Sequence, residues 1–460
     1  MRKLPLVAGS LPPLVLLAGL VVSSTALANG RYPYGNQLVV APNNPDVIYV
    51  RTTFGILLSE DHGRIFRWIC EPLIGFTNGL DPGIGVFDDG AMAVAGYYGL
   101  AISHDNSCSY PFVGGGLDKQ YVMDIAVDDK NPKGGVVVTA TANGSQKHVQ
   151  VFQTSDNGVT WTAPGPALDT FLLPTTLDVA PSDPQRIYVG GFFYGEDGVH
   201  GFVQRSDDRG KTWAPRTQLG GVTEADRVST LHVSGVDPKD PNRVFVRVSN
   251  PRSQDRLLVS NDGGTTFQEV ASFAGPMYGF AISPDGDKVA IGGVGGGNDT
   301  NGKGVYVASR PASGVAYQFE QRSNVPVLCL KWTSETLYGC GNNQQEGIFV
   351  VGKSDDEGRT WKPLLNSVND IDATLKHCPN GSAYNNLCIA DWARQVCLFN
   401  TPGALDACAA ATADAGTSNA VQDDGGGCTL GPGAASKAAT GFAALFLGFG
   451  LFVRRRLRRH

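Results

Sequence analysis

Ser206-Asp207-Asp208-Arg209-Gly210-Lys211-Thr212-Trp213 is one copy of an octapeptide that recurs along the chain. It returns as Thr154–Trp161 (TSDNGVTW), Ser260–Phe267 (SNDGGTTF) and Ser354–Trp361 (SDDEGRTW), and with one lapse as Ser59–Phe66 (SEDHGRIF). The pattern Ser/Thr-x-Asp-x-Gly-x-Thr-aromatic suits a tight turn between two strands. Its carboxylate (Asp61, Asp156, Asp208, Asp262, Asp356) can accept N–H bonds within its own turn. Its glycine (Gly63, Gly158, Gly210, Gly264, Gly358) supplies the positive φ that such a turn needs. Its aromatic residue (Phe66, Trp161, Trp213, Phe267, Trp361) opens the next strand and can pack between neighbouring units. Each role is structural, so the octapeptide argues for architecture and not for catalysis.

A second turn repeats in step with the first. Ala41–Pro45 (APNNP), Ala180–Pro184 (APSDP) and Asp237–Pro241 (DPKDP) each stand just before a β-rich run: VIYV from Val47, RIYV from Arg186, RVFV from Arg243. Weaker copies lie at Phe87–Gly90, Asp128–Pro132, Ser283–Gly286 and Lys331–Ser334, and degenerate octapeptides at Ser103–Tyr110 and near Ser309–Tyr317. Proline and Asx residues preset these turns, and proline cannot continue a central strand. No segment shows helical apolar spacing beyond a turn or two. Two turn repeats in register, with a period of about 50 residues, predict an all-β chain of four-stranded units arranged as a β-propeller. The count favours seven blades, with six or eight left open. Ring closure is not encoded in the repeat.

Over residues 37 to about 365 the octapeptide resembles the Asp box, or BNR repeat. That motif marks the propellers of sialidases, sortilin-type receptors, xyloglucan-cleaving glucanases and photosystem-assembly factors. The resemblance implies that each copy joins the third and fourth strands of a blade. A sialidase would need an arginine triad, a Tyr–Glu nucleophile pair and an Asp acid/base. Its N-terminal motif has only a faint echo in Arg31-Tyr32-Pro33. No sequence motif picks out a catalytic carboxylate pair either.

The ends carry other information. Arg2 and Lys3, the apolar run Leu14–Val22 and Ala26-Leu27-Ala28 read as a secretory signal peptide over 1–28, cleaved after Ala28. The propeller is assigned to 29–368 and a small cysteine-rich module to 369–408. A flexible linker follows over 409–427, then a sorting or membrane-anchor segment over 428–460. That last segment joins Cys428 to an apolar stretch just long enough to span a bilayer and a poly-arginine end. It resembles the MYXO-CTERM sorting tag of myxobacterial surface proteins. The resemblance implies processing near Cys428 and anchoring at the outer membrane of a Gram-negative, myxobacterium-like cell, through the segment itself or a lipid on Cys428.

Export fits the cysteines. Eight lie at 70, 108, 329, 340, 378, 388, 397 and 408. Cys329 and Cys340 mirror each other across a hairpin with its turn near Ser334-Glu335, close enough to pair. The Cys378–Cys408 segment reads as a module held by two disulfides of its own and packed as a cap or stalk, with a short helix near Asp391–Cys397. Without 1–28 and 428–460, the chain has 29 Lys/Arg against 43 Asp/Glu, a charge of −14 with no basic patch, which argues against nucleic acid. The seven histidines fall in no metal spacing, and no phosphate loop, nucleophile elbow or cofactor motif is present.

The ligand-facing candidate is the loop carrying Phe193, Tyr194, Glu196 and Asp197, on the rim opposite the octapeptides. The resulting expectation is an exported, surface-tethered, monomeric propeller. It would bind a glycan, polysaccharide or protein as a binding or adhesion module, without catalysis. The alternative is a secreted carbohydrate-active hydrolase, sialidase- or endo-glucanase-like, using carboxylates on the rim.

Overall fold

The computed structural model describes residues 35–400, apart from 76–81, 144–145, 197, 220–229, 250–253, 274, 297–298, 313–314 and 342–347. Ala28, Asp197, Cys428 and the signal, linker and anchor segments therefore lie outside the described residues. Among the described residues, no helix is long and apolar enough to cross a membrane.

Seven antiparallel sheets follow one another along the chain, and each uses only its own consecutive strands. Blade 1 holds β1 (Gly35–Ala41), β2 (Asn44–Thr52), β3 (Gly55–Ser59) and β4 (Arg67–Ile69); blade 2 holds β5 (Gly83–Val86), β6 (Met92–Gly96) and β7 (Gly99–Ser103). Blade 3 holds β8 (Val122–Val127), β9 (Gly135–Asn143) and β10 (Gln146–Thr154). Blade 4 holds β11 (Leu172–Ala180), β12 (Asp183–Gly195), β13 (Gly198–Ser206) and β14 (Thr217–Leu219). Blade 5 holds β15 (Thr230–Val236), β16 (Val244–Ser249), β17 (Asp255–Ser260) and β18 (Gln268–Phe273). Blade 6 holds β19 (Met277–Ile282), β20 (Lys288–Gly296), β21 (Asp299–Ser309) and β22 (Glu320–Ser323). Blade 7 holds β23 (Cys329–Trp332), β24 (Leu337–Cys340), β25 (Val351–Ser354) and β26 (Lys362–Leu365). The fold is a seven-bladed β-propeller. Blades 2 and 3 keep only bridges in place of a regular fourth strand, at Ala101–Phe112, Val149–Leu168 and Gln153–Thr162.

The octapeptides do locally what their residues dictate. In Ser206–Trp213, Asp208 Oδ1 accepts from the Ser206 hydroxyl (2.9 Å) and Thr212 N (2.8 Å), and Oδ2 accepts from the Thr212 hydroxyl (2.6 Å). The Ser206 hydroxyl accepts from Gly210 N (2.7 Å). Gly210 has φ +85°, and Arg209 before it is also left-handed at +58°. The degenerate copy folds the same way: Asp105 accepts from Ser109 N and Ser107 takes φ +69° where glycine would stand. Each turn also reaches the preceding blade. Gly63 abuts Leu364, Gly158 abuts Ile102 and Phe87, and Gly358 abuts Val305, with a Cβ on any of them falling within 3.0 Å of those side chains. The rings of Trp161 and Trp361 tie back to their own turns, donating to the carbonyls of Gly158 (2.9 Å) and Gly358 (3.1 Å).

The tail closes the ring covalently, and not as the sequence suggests. Cys329–Cys340 pairs across β23–β24 as expected. The cysteine-rich segment, however, does not close only on itself. Cys388 bonds Cys70 at the edge of blade 1, and Cys378 bonds Cys108 in the blade 2 turn; Cys397 is also disulfide-bonded. The segment lies against blades 1 and 2 because its apolar side chains find their partners there. Tyr384 is fully buried and donates to Trp68 O (2.9 Å), and Trp392 of the helix α1 (Ala390–Asn400) packs on Trp68 with ring centroids 5.2 Å apart. Chain that leaves blade 7 thus clasps blades 1 and 2.

Candidate functional site at the channel mouth

The turn between first and second strands and the octapeptide between third and fourth lie on the same rim. Backbone bonds join them within blades 1, 3, 4 and 5: His62 N to Asp46 O (3.0 Å), Asn157 N to Lys133 O (2.9 Å), Arg209 N to Gln185 O (2.7 Å) and Gly263 N to Asn242 O (2.9 Å). The opposite rim carries the second-to-third hairpins and the starts of the seven innermost strands. There the central channel opens into a cavity of about 480 Å³ lined from every blade. A few sugar residues fill such a volume.

Aromatic rings gather on that rim. Tyr98 (46% exposed) caps the β6–β7 hairpin, Tyr121 (40%) precedes β8, Phe171 (56%) precedes β11 and Tyr278 (47%) begins β19. They are four of the five exposed large aromatic side chains among the described residues. Tyr97, lining the cavity, stands edge-on to Tyr121 at 5.7 Å. Within the octapeptides the exposed large apolar side chains are aliphatic, Val159 at a variable position and Ile65 where the pattern has threonine. Rings left in water beside a polar cavity are costly for folding alone and suit stacking on sugar faces.

The polar lining includes Gln37 and Arg51 of blade 1, Asp124 of blade 3, Thr175 and Thr176 of blade 4, and His232 and Arg247 of blade 5. Asp124 on β8 accepts from Leu177 N of blade 4 (3.0 Å) and from Ile125 N (2.9 Å). Burial pushes its carboxyl up to about 6, against those hydrogen bonds and the nearby Arg51. Asp178 on β11 is pushed to about 7, first by burial, then by Asp129, with Asp124 adding to it. Both acids reach the next blade's innermost strand, Asp124 at Leu177 and Asp178 at Val236. These strands are sheet edges, and the acids satisfy their open N–H groups. Arg51 donates to Asn36 Oδ1 (2.7 Å) and Pro82 O (2.7 Å). Arg247 donates to Met277 O (2.5 Å) and Tyr278 O (2.8 Å), with the Tyr278 ring 6.0 Å from its guanidinium carbon. His232, opposite Arg247 across β15–β16, is lowered to about 3 by burial, then by Arg247 and Arg51, so its ring is neutral.

The loop singled out from sequence does sit on this rim, at the β12–β13 hairpin. Its parts behave differently. Phe193 is buried, enclosed by Phe202, His200 and the Arg216 guanidinium 4.4 Å from its centroid. Tyr194 is half-buried and Glu196 exposed at the tip. The hairpin is one strand removed from the channel, and none of Phe193, Tyr194 and Glu196 lines the cavity. Asp124, His232, Arg247, Tyr97 and Tyr278 went unnoticed in the sequence. The signal that finds Asp124 and His232 is blade equivalence: they share one register position on the innermost strands, where the other blades carry Gln37, Gly83, Thr176, Phe280 and Cys329. Among the described residues, His377 approaches Cys108 and Cys378, but those sulfurs are bonded to each other and leave no metal site.

No protein-family model matches the chain. Similar sequences include a xyloglucanase from a Paenibacillus species, 37% identical over 101 residues, and one from Hypocrea jecorina, 34% identical over 99 residues. These matches cover 21% and 20% of this chain but only 9% and 11% of those enzymes. Among solved structures, an ancestral GH74 enzyme superposes with a TM-score of 0.50 at 15% identity, covering 73% of this chain and 47% of that one. The likeness of structure bears out the propeller. The chain spans about half of that enzyme, and the sequence likeness is confined to about a hundred residues.

Proposed function

We propose that this protein is a carbohydrate-active hydrolase that lays a polysaccharide across the aromatic rim and presents one sugar to the channel mouth. The observation that carries the reading is the juxtaposition there of four exposed rings with a sugar-sized cavity holding the carboxylate of Asp124. The partial likeness to two xyloglucanases supports hydrolysis over the simple binding module that the sequence alone favours. Asp124, near 6, is half-protonated at mildly acidic pH and is assigned as general acid. Asp178, on the neighbouring inner strand, is not among the residues lining the cavity, and its carboxyl is held higher still, at about 7, so it is protonated where Asp124 titrates and is given no catalytic role. The signal peptide and the Cys428 segment support export and tethering at the cell surface, where polysaccharide is met.

The test is release of reducing ends from soluble polysaccharides by wild type and Asp124→Asn. Loss of a positioned acid is expected to lower kcat by about 10²-fold or more, with KM little changed. Equal turnover in the variant overturns the assignment of Asp124. Binding by wild type without turnover overturns hydrolysis and leaves a binding propeller.

A further inference from the structure

The cavity holds more positive charge than its hydrogen bonds use. Arg247 is fixed at one end only: its Nη1 donates to the carbonyls of Met277 and Tyr278 on the next blade. Its Nε is buried without an acceptor, and no acceptor is found for Nη2 among the described residues. That unused Nε–Nη2 edge is the side of a guanidinium that takes a carboxylate in two parallel hydrogen bonds. His232 stands directly across the strand pair and lines the same cavity.

Blade register makes the arrangement specific. Ile48 and Val244 each stand opposite the first serine of their octapeptide, and three residues on come Arg51 and Arg247. In the other five blades the same register places Ala95, Val138, Gly190, Ile291 and Cys340. The fold itself therefore does not require arginine at this position. Two carboxylates face the pair: Asp124, which lies near Arg51, and Asp255, whose charge reaches Arg247 while its oxygen accepts from Met277 N (2.8 Å). They do not cancel the arginines at His232, whose ring is held neutral by burial and by Arg247 and Arg51.

We propose that the channel mouth selects an anionic sugar, a uronate, whose carboxylate is held by the unused edge of the Arg247 guanidinium with the His232 ring as a second donor. The inference rests on the carbohydrate reading above and narrows it to acidic glycans. Stacking on Tyr278, beside Arg247, orients the sugar ring so that its carboxylate points inward.

The experiment is calorimetric titration of the full chain with trigalacturonate and with the same trimer reduced at its carboxyl groups to the neutral sugar. Wild type is expected to bind the acidic trimer at least tenfold tighter, with the difference shrinking between 20 mM and 500 mM NaCl. Arg247→Met is expected to abolish the preference while keeping affinity for the neutral trimer, which also reports that the variant is folded. Should Arg247→Met fail to fold, His232→Phe is expected to cut the preference several-fold. Acetate at the same concentration as the trimer is expected not to compete. Equal affinity of wild type for both trimers overturns this inference and leaves the carbohydrate reading intact. Binding of neither trimer, nor of any neutral polysaccharide, overturns the carbohydrate reading itself. Full competition by acetate overturns recognition of the sugar.

Discussion

Removing the clasp between tail and first blade should loosen the whole ring, and the loss can be worked out from chain topology. Cys70–Cys388 and Cys108–Cys378 bridge 318 and 270 residues of sequence, but they are nested. With Cys108–Cys378 intact, breaking the other bond opens only the path from Cys70 to Cys108 and from Cys378 to Cys388, about 50 residues. The chain-entropy relation assigns such a loop about 4 kcal/mol at 25 °C. For a domain of this size that corresponds to a fall in Tm of roughly 5 °C. Opening both bonds releases the longer loop as well, about 10 kcal/mol in all and roughly 12 °C. The assay is thermal unfolding of Cys70→Ser/Cys388→Ser and of the quadruple serine variant, made as pairs so that no free thiol remains. A shift under 1 °C for the first variant, or equal shifts for both, would refute the claim that the tail closes the ring.

Four further outcomes follow from the same geometry. Asp208→Ala removes the acceptor of three turn hydrogen bonds and should lower Tm while leaving specific activity per folded molecule unchanged; lost activity at unchanged Tm would give the octapeptides a direct role. Burial is the largest single effect on the Asp262 carboxyl and raises it, but the hydrogen bonds from Thr266, Ser260 and Thr265 together outweigh it and bring it to about 2; Asp356 is held at about 2 first by the Thr360 hydroxyl and backbone N–H. Their folded pKa lies below the unfolded value, so their contribution is full above about 4 and lost as pH falls towards 2; acid unfolding of Asp262→Ala should show a weaker dependence across that window. Asp178 has the opposite sign: its folded carboxyl is raised to about 7, so stability falls as pH rises from about 4 through 7, and Asp178→Asn should raise Tm at pH 8 but not at pH 4. Cys428→Ala should shift the protein from the membrane fraction to the medium, or change its processed size on an immunoblot; unchanged fractionation would count against the sorting tag.

The fold was legible because its determinants are local and repeated. An octapeptide needs only its own eight residues to fold, so Asp208 and Gly210 announce a turn wherever they stand. Cys329 and Cys340 were legible for the same reason, being register partners in one hairpin. The tail disulfides were not, because nothing near Cys70 or Cys108 indicates a partner beyond the last blade. The channel mouth was hidden for a related reason. Arg51 of blade 1, Asp124 of blade 3 and the His232–Arg247 pair of blade 5 are separated by dozens of residues and converge only when the ring forms. Phe193 misled because strand alternation turns it into the blade, onto Phe202 and Arg216, whereas sequence shows only an aromatic beside a polar loop.

The most direct test of the account is a polysaccharide panel, neutral and acidic, scored for both binding and reducing-end release, with wild type compared against Tyr98→Ala/Tyr278→Ala. The account predicts at least one bound and cleaved polysaccharide, with affinity lowered about tenfold or more by loss of the two rim rings. A panel neither bound nor cleaved, or binding indifferent to both tyrosines, would contradict it.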